Sequence, residues 1–285
     1  MRITTPQNFY HVGDLSQKFA SNDPRQSGFA ERRVDIDMRN CQFVRPAAVL
    51  WCAIYPLLAV AKTSECQLLV PENMGVCVYL KSVGLFEVLR GAGVDVDDRD
   101  ISVKRDPQIF LPLTRFSKEQ EVDDLANQAL DSLSNAGLGS ANIHPLVSEV
   151  FAELALNAVQ HSRSVIGAFG FIQFYESEIG RRFVCAVADG GIGIRRSLEQ
   201  NPALRDRVPY DWVAIELALR ERVSGTGVAT RGIGLYGVAE DVRKPGRQLI
   251  IHSGLGMLAT SEEVESRSQR TTLFPGTLAY ASITT

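Results

Sequence analysis

The feature that most restricts the fold is an apolar run from Pro46 to Ala61, which lies between Arg45 and Lys62 and contains no charged residue. The run is shorter than the roughly 20 residues that a membrane-spanning helix needs, and Pro56 interrupts it. It therefore predicts a buried helix rather than a membrane span.

The bulk composition is that of a globular protein, with 45% apolar and 22% charged residues. A length of 285 residues suggests one large domain or two ordinary ones. The net charge of -3 gives no support for a nucleic-acid partner or an anionic membrane. The segment Met1 to His11 is polar and lacks the apolar core of a signal peptide, so we expect a cytoplasmic protein. The five cysteines form no CxxC pair and no Cys/His cluster, which predicts reduced, packed thiols and no zinc site.

The first half of the chain alternates strand and helix patterns. Val34 to Met38 alternates apolar and polar residues, as a strand with one buried face does, and Cys66 to Val70 is typical of a short buried strand. Helical patterns follow over Asn73 to Leu80 and Leu85 to Arg90. This order predicts a small α/β domain over residues 1–105.

The second half is predicted to be another α/β domain, over residues 106–285. The segment Arg105 to Ser117 contains Asp106-Pro107 and Leu111-Pro112 and is interpreted as the connection between the halves. The expected helices are Glu119–Ser134, His144–Ser162 and Asp211–Arg222, and the expected strands are Ala168–Tyr175, Arg182–Ala188, Arg247–Ser253 and Leu278–Ile283. The long interval from Arg195 to Arg231 is typical of a lid over a site.

A stripe of polar residues runs along the predicted helix His144–Ser162. Glu153, Asn157 and His161 are four residues apart, so they share one helix face. An Asn amide oxygen can supply one of the few protein ligands that Mg²⁺ accepts, and a Glu one turn earlier can orient or deprotonate a water. A solvated face of an amphipathic helix is the simpler alternative.

Two glycine-rich segments follow. The first, Asp189-Gly-Gly-Ile-Gly193, comes directly after a strand, where the aspartate can accept a hydrogen bond from an exocyclic amine such as that of adenine. The second, Gly225 to Val238, suggests a loop that opens into a helix, whose N-terminal N–H groups can bind phosphate. Taken singly, an ordinary tight turn and a flexible loop explain them equally well. Thr277 then opens the last strand and can bond a purine nitrogen.

In this order the motifs resemble those of the GHKL superfamily, which includes gyrase, heat-shock-90 chaperones and histidine kinases. The resemblance covers roughly Glu119 to the end. It implies a two-layer α/β sandwich with a mixed sheet and helices on one face, binding ATP and Mg²⁺. By match to the family motifs, Asn157 holds Mg²⁺, Glu153 is the catalytic acid or base, and Asp189 binds adenine. The remaining nucleotide-binding matches are His161, Gly191, Gly193, Gly232, Gly234, Leu235 and Thr277.

The sequence departs from some branches of the GHKL superfamily in two respects. Several branches place a lysine on the terminal phosphate, and none can be assigned here; Arg195, Arg196 and Arg231 lie near the predicted lid without an assigned role. A histidine kinase would carry a two-helix dimerisation hairpin with a phospho-accepting histidine, and no such pair of helices is evident. The amino-acid sequence around Asn157 looks closest to that of anti-sigma-factor serine kinases.

The first half is similar to a STAS domain, the usual partner of those kinases. Phosphorylatable STAS domains carry a serine where this chain has Arg45-Pro46-Ala47-Ala48, so no hydroxyl is available there. The resemblance implies a docking or dimerisation module, with a STAS or sigma-type regulator as the expected partner and a homodimer as one possible assembly.

Three functions remain open from the sequence. The first is a nucleotide-dependent regulatory ATPase or switch. The second is a non-catalytic partner-binding protein that ATP only stabilises. The third is a protein-serine kinase that acts on a separate STAS protein. The sequence leaves open whether ATP is hydrolysed, transferred or only bound.

Overall fold

The computed structural model describes residues 1–10, 13, 23–62, 64–97, 101–103, 106–140, 142–177, 180–220, 234–261 and 267–285. Within these residues, the first part of the chain contains short strands and three helices. They are β1 (Arg2–Thr4), β2 (Asn8–Phe9), β3 (Arg33–Asp37), β4 (Phe43–Val44), α1 (Pro46–Ala61), β5 (Glu65–Leu69), α2 (Met74–Ser82), α3 (Leu85–Gly91) and β6 (Asp95–Val96).

The N-terminal sheet is parallel and has the strand order β1-β3-β5-β6, while β2 and β4 form a separate parallel pair. A single helix, α1, carries the chain from β3 back to the start of β5, and such a crossover makes neighbouring strands parallel. The side chain of Asn73 caps α2 by accepting the N–H of Val76 at 3.2 Å. The strands and helices predicted for this half are confirmed.

Among the described residues, the second part of the chain contains a larger sheet and five α-helices. They are β7 (Ile109–Phe116), α4 (Glu119–Ala136), α5 (Ile143–His161), β8 (Ala168–Ser177), β9 (Gly180–Asp189), α6 (Gly193–Leu198), α7 (Asp211–Ala218), α8 (Gly234–Val242), β10 (Arg247–Ser261) and β11 (Arg267–Thr284). The strand order is β10-β11-β9-β8-β7. The chain is thus an α/β protein, as predicted.

The mixed sheet expected for this half is wrong, because each pair of neighbouring strands in the described sheet is antiparallel. Strands β8 and β9 follow each other in the chain and pair with each other, as do β10 and β11. Between β7 and β8 the chain passes through two helices, α4 and α5, which pack against each other. Two helices return the chain to the end where it left the sheet, so β8 runs antiparallel to β7. The parallel pairs all lie in the N-terminal sheets.

Helix α1 lies between the two sheets. It contacts β3 and β5 on one side and β9 and β11 on the other, and nearly all of its residues are buried. Side chains that alternate along β9 divide accordingly: Val184, Ala186 and Ala188 share a core with α1, whereas Cys185 and Val187 share a core with α5. The helices of the second half therefore cover one face of its sheet, and the first half covers the other. The division into domains 1–105 and 106–285 remains a prediction.

The segment interpreted as a connection contains the edge strand β7. Pro112 is exposed and falls where the register with β8 shifts, between Leu111 and Thr114, and an edge strand tolerates proline there. The N–H of Leu113 donates instead to the carbonyl of Val83 at 2.8 Å. The prolines that suggested a linker thus mark a strand that hydrogen-bonds to both halves.

Strands β10 and β11 extend well beyond the predicted Arg247–Ser253 and Leu278–Ile283. Register shifts on either side of Gly254 disturb their pairing. A Cβ on Gly254 would lie 2.6 Å from the carboxylate of Asp211, which accepts the N–H of Leu255 at 2.8 Å. Gly254, the residue after the predicted end of the first of these strands, therefore makes room for the N-terminus of α7.

In the part of the chain that the structure describes, no helix combines the length and the apolar character that crossing a membrane requires. The five cysteines are buried with free thiols, as expected.

Candidate functional site

Asp189 ends strand β9 and is buried, with 3% of its surface exposed. Strand alternation places it with Val187 on the sheet face that α5 covers. Its Oδ1 accepts the N–H of Gly191 at 2.8 Å, and the backbone N–H of Thr277 also donates to the carboxylate. Burial raises the pKa of Asp189 to about 7, although these two donors and the charge of Arg25 act in the opposite direction.

The glycine turn after Asp189 is joined to the end of helix α5. The N–H of Ile192 donates to the carbonyl of Ser162 at 2.8 Å, and the N–H of Gly190 donates to the hydroxyl of Ser164 at 3.3 Å. A Cβ on Gly191 would lie 1.9 Å from the Ser162 carbonyl oxygen, so only glycine permits this approach. The first and second predicted motifs are thus in direct contact.

The start of the last strand segment completes the same cluster. Gly276 has a φ of 121°, and a Cβ there would lie 2.0 Å from the carbonyl oxygen of Asp189. The hydroxyl of Ser253 accepts the N–H of Ile194 at 2.9 Å and lies 3.0 Å from the hydroxyl of Thr277. The same hydroxyl donates to the Gly276 carbonyl at 3.2 Å. The turn of the second motif is thereby held against the predicted Thr277 motif.

Glu153 and Asn157 lie on α5, and both are partly buried. The Nδ2 of Asn157 donates to the backbone carbonyl of Glu153 at 2.7 Å. Because a carbonyl only accepts, this contact settles which end of the amide is which and makes Oδ1 the end that can bind a cation. Burial first, and then the charge of Glu149, raises the pKa of Glu153. His161 lies in the last turn of the helix, adjacent to Ser162.

The third glycine motif is only partly within the described residues, because Gly232 and Arg231 lie outside them. Gly234 is the first residue of α8. Leu235 packs against the core that α5 and α8 share, together with Leu154 and Val238. The described end of this motif is therefore brought to the helix that carries Glu153 and Asn157.

Gly193 begins helix α6 with a φ of 79°, a left-handed value that favours glycine. Arg195 and Arg196 follow it, and the Nε of Arg195 lies 3.0 Å from a carboxylate oxygen of Glu199. Both arginines line a cavity of about 330 Å³ between α6 and the N-terminal segment. Its walls also include Asp23, Arg25, Gln26, Asp211, Ser253 and Leu255. Neither arginine gains an assigned role from this position.

The first part of the predicted lid contains a small hydrophobic core of its own. Leu198, Leu204 and Val208 form a small core with two residues of α7, Ala214 and Leu217. Helix α7 begins at Asp211 as predicted and packs on β10. Residues 221–231 of the expected lid lie outside the described residues.

The structure thus joins the turn after β9 to the C-terminal end of α5 and to the start of the last strand segment, through Asp189, Gly191, Gly193 and Thr277. Glu153, Asn157 and His161 lie along α5, and Gly234 and Leu235 lie at the start of α8, which packs on α5. The roles assigned to them remain predictions. Sequence reasoning missed Arg25, Ser162, Ser164 and Ser253, since each acts through backbone groups that become neighbours only after folding. In the described residues no group of three His, Cys, Asp or Glu side chains is placed to hold a metal.

No model of a known protein family matches the chain, and no curated protein is similar to it in sequence.

Proposed function

We propose that the protein binds ATP with Mg²⁺ and acts as a nucleotide-dependent regulatory ATPase or switch. The observation that carries the proposal is the buried carboxylate of Asp189, enclosed by the glycine turn, the end of α5 and the start of the last strand segment. Buried, strongly perturbed carboxylates in such settings are concentrated at functional sites.

The chemistry of Asp189 suits recognition of an adenine amine. A carboxylate offers about four lone-pair sites, and the backbone donors of Gly191 and Thr277 fill two of them. The remaining sites can accept an exocyclic N–H, while the neighbouring glycines allow a flat base to approach the backbone closely. A site built to accept such a hydrogen bond rejects analogues that lack it.

The helix face of α5 supplies the groups for the phosphate end. Asn157 would hold Mg²⁺ through Oδ1, and the metal would neutralise charge on the phosphates when bound. Glu153 would orient or deprotonate the attacking water, because burial brings its pKa closer to neutral pH, where a general base works best. Gly234 and the start of α8 would lie near the phosphates, because the free backbone N–H groups at a helix N-terminus can bind phosphate.

Calorimetry with ATP tests the metal site. We expect Asn157→Ala to weaken ATP binding about tenfold or more in the presence of Mg²⁺, and to leave binding nearly unchanged with a chelator. Gln160→Ala is the matched control, because Gln160 lies on the same helix and pairs with Glu119 at the surface. Equal weakening with and without metal would show that Asn157 does not act through Mg²⁺, and a wild type that takes up no adenine nucleotide at millimolar concentration would refute the proposed function.

Glu153→Gln separates catalysis from binding. Glutamine keeps the shape of the side chain but cannot take a proton, so we expect phosphate release to fall about a hundredfold while ATP affinity changes by less than about threefold. Glu87→Gln, at an exposed position of α3 in the first half, should retain activity close to the wild type. If the wild-type protein binds ATP without releasing phosphate, the ATPase activity is refuted and the role as a nucleotide-dependent switch is retained.

The regulatory part of the proposal rests on the first half of the chain, which packs through α1 against the sheet that carries Asp189. A STAS or sigma-type regulator is the proposed partner. The anti-sigma-type serine kinase remains an alternative, and transfer of radiolabel from ATP to a serine-bearing partner would establish it. Binding of that partner without regard to nucleotide would favour a purely structural role for ATP.

A further inference from the structure

The N-terminal segment reaches the glycine turn through Arg25. Its Nη1 donates to the carbonyl of Gly191 at 2.5 Å, across 166 positions of sequence. The Nε and Nη2 of the same guanidinium donate to the two carboxylate oxygens of Asp23, at 2.9 and 2.7 Å. Asp23 is buried and Arg25 largely so, which fixes the direction of the fork. Two nitrogens of the guanidinium therefore bind Asp23 in the first half, and the third, Nη1, binds the turn.

Helix α1 contacts the same turn at the neighbouring residue, Gly190. A Cβ on Gly190 would lie 2.9 Å from a methyl group of Leu58 and equally close to the end of Ile166. The first half of the chain thus holds the turn at two adjacent residues, Gly190 by packing and Gly191 by a charged hydrogen bond.

These contacts lead directly to the buried carboxylate. The carbonyl of Gly191 accepts from Arg25, and the N–H of the same residue donates to Asp189. A glycine with two anchored polar groups cannot shift without changing both bonds. Movement of residues 23–25 would therefore displace the donor that orients the carboxylate, and movement of the carboxylate would be felt at Arg25.

We infer that Arg25 is a positioning residue of the nucleotide site, through which the first half of the chain and the ligand at Asp189 influence each other. The inference rests on the proposed function for its ligand. By linkage, a partner that draws residues 23–25 away from the turn weakens nucleotide binding by the same factor by which nucleotide weakens that partner.

Hydrogen exchange measured by mass spectrometry tests the contact in the full-length protein without ligand. In Arg25→Met we expect faster exchange in peptides that span residues 187–194, because the turn loses its charged hydrogen bond. Arg25→Lys keeps a donor and should restore a large part of the protection. Arg39→Met is the matched control, since Arg39 forms the same forked pair with Asp37, two residues before it, within the first half.

Calorimetry with ADP on the same variants tests the coupling. We expect Arg25→Met to weaken ADP binding about tenfold, Arg25→Lys by less than about threefold, and Arg39→Met hardly at all. ADP should also slow exchange in residues 23–29 of the wild type but not of Asp189→Asn. Unchanged exchange and affinity in Arg25→Met would overturn the inference. If the wild type binds no adenine nucleotide, the proposed function and the coupling both fail, whereas exchange at 187–194 still decides whether Arg25 holds the turn.

Discussion

Replacing Gly191 by alanine is expected to abolish nucleotide binding and to destabilise the protein. The added Cβ would lie 1.9 Å from the Ser162 carbonyl oxygen and 2.8 Å from the Ser162 side chain, and backbone atoms cannot give way as a flexible side chain can. Relief of the clash must separate the turn from α5, which breaks the bond from Ile192 and moves the donor to Asp189. We expect the free energy of unfolding to fall by about 3 kcal/mol. ATP affinity should fall more than about a hundredfold. Urea unfolding measures the change in stability, and calorimetry measures the change in affinity.

Gly237→Ala is the control for this prediction. Gly237 lies inside helix α8, and a Cβ there would meet nothing within 4 Å. Alanine favours a helix interior by about 0.5–1 kcal/mol over glycine, so this variant should be as stable as the wild type or more so. Full stability and ATP binding in Gly191→Ala would contradict the tight turn, and with it the convergence on which the proposed site depends.

The local elements could be predicted because each shows its own periodicity. Helix α5 carries a continuous pattern over Ile143–His161, and β9 is a strong apolar run that ends in Asp189-Gly190. The apolar helix α1 was also correctly expected to be buried. In these places the requirement for burial and the local backbone preference agree, so a sequence pattern suffices.

The pairing of elements could not be predicted in the same way. The direction of β8 relative to β7 depends on two helices that intervene, and Pro112 concealed an edge strand. Nothing local marks Arg25 as a neighbour of Gly191, because the contact spans 166 positions and uses a backbone oxygen. The glycines were the clearest sequence signal of the candidate site. The sequence alone does not show which backbone segment packs against each glycine.

Asp189→Asn is expected to lose ATP affinity at least about a hundredfold and yet to gain stability without ligand at neutral and alkaline pH. The loss follows because asparagine replaces a charged acceptor with a neutral amide, whose NH2 group would face the donor N–H of the ligand. The gain follows because burial makes the carboxylate unfavourable in the folded state, as its pKa of about 7 shows. Ligand binding and the stability of the empty protein should therefore change in opposite directions.

The sign of the pH dependence is fixed by this raised pKa. Because burial raises the pKa of Asp189 to about 7, the folded protein keeps this proton up to about pH 7, whereas the unfolded chain releases it near the ordinary pKa of 3.8. Its contribution to stability is complete below about pH 4 and is lost as the pH rises towards 7. The free energy of unfolding of Asp189→Asn, minus that of the wild type, should hence grow by about 3 kcal/mol between pH 5 and 8.

Urea unfolding without nucleotide, followed by circular dichroism at intervals from pH 5 to 8, measures this difference. Glu121→Gln serves as the control, because the backbone N–H of Ser117, followed by other local donors, lowers the pKa of Glu121. Its carboxylate is largely ionised in both states throughout that range, so the stability difference of this variant should change by less than about 0.3 kcal/mol. A flat profile for Asp189→Asn would mean that the carboxylate is solvated or paired more strongly than its burial implies. The physical basis for a ligand-ready acceptor at the end of β9 would then be gone.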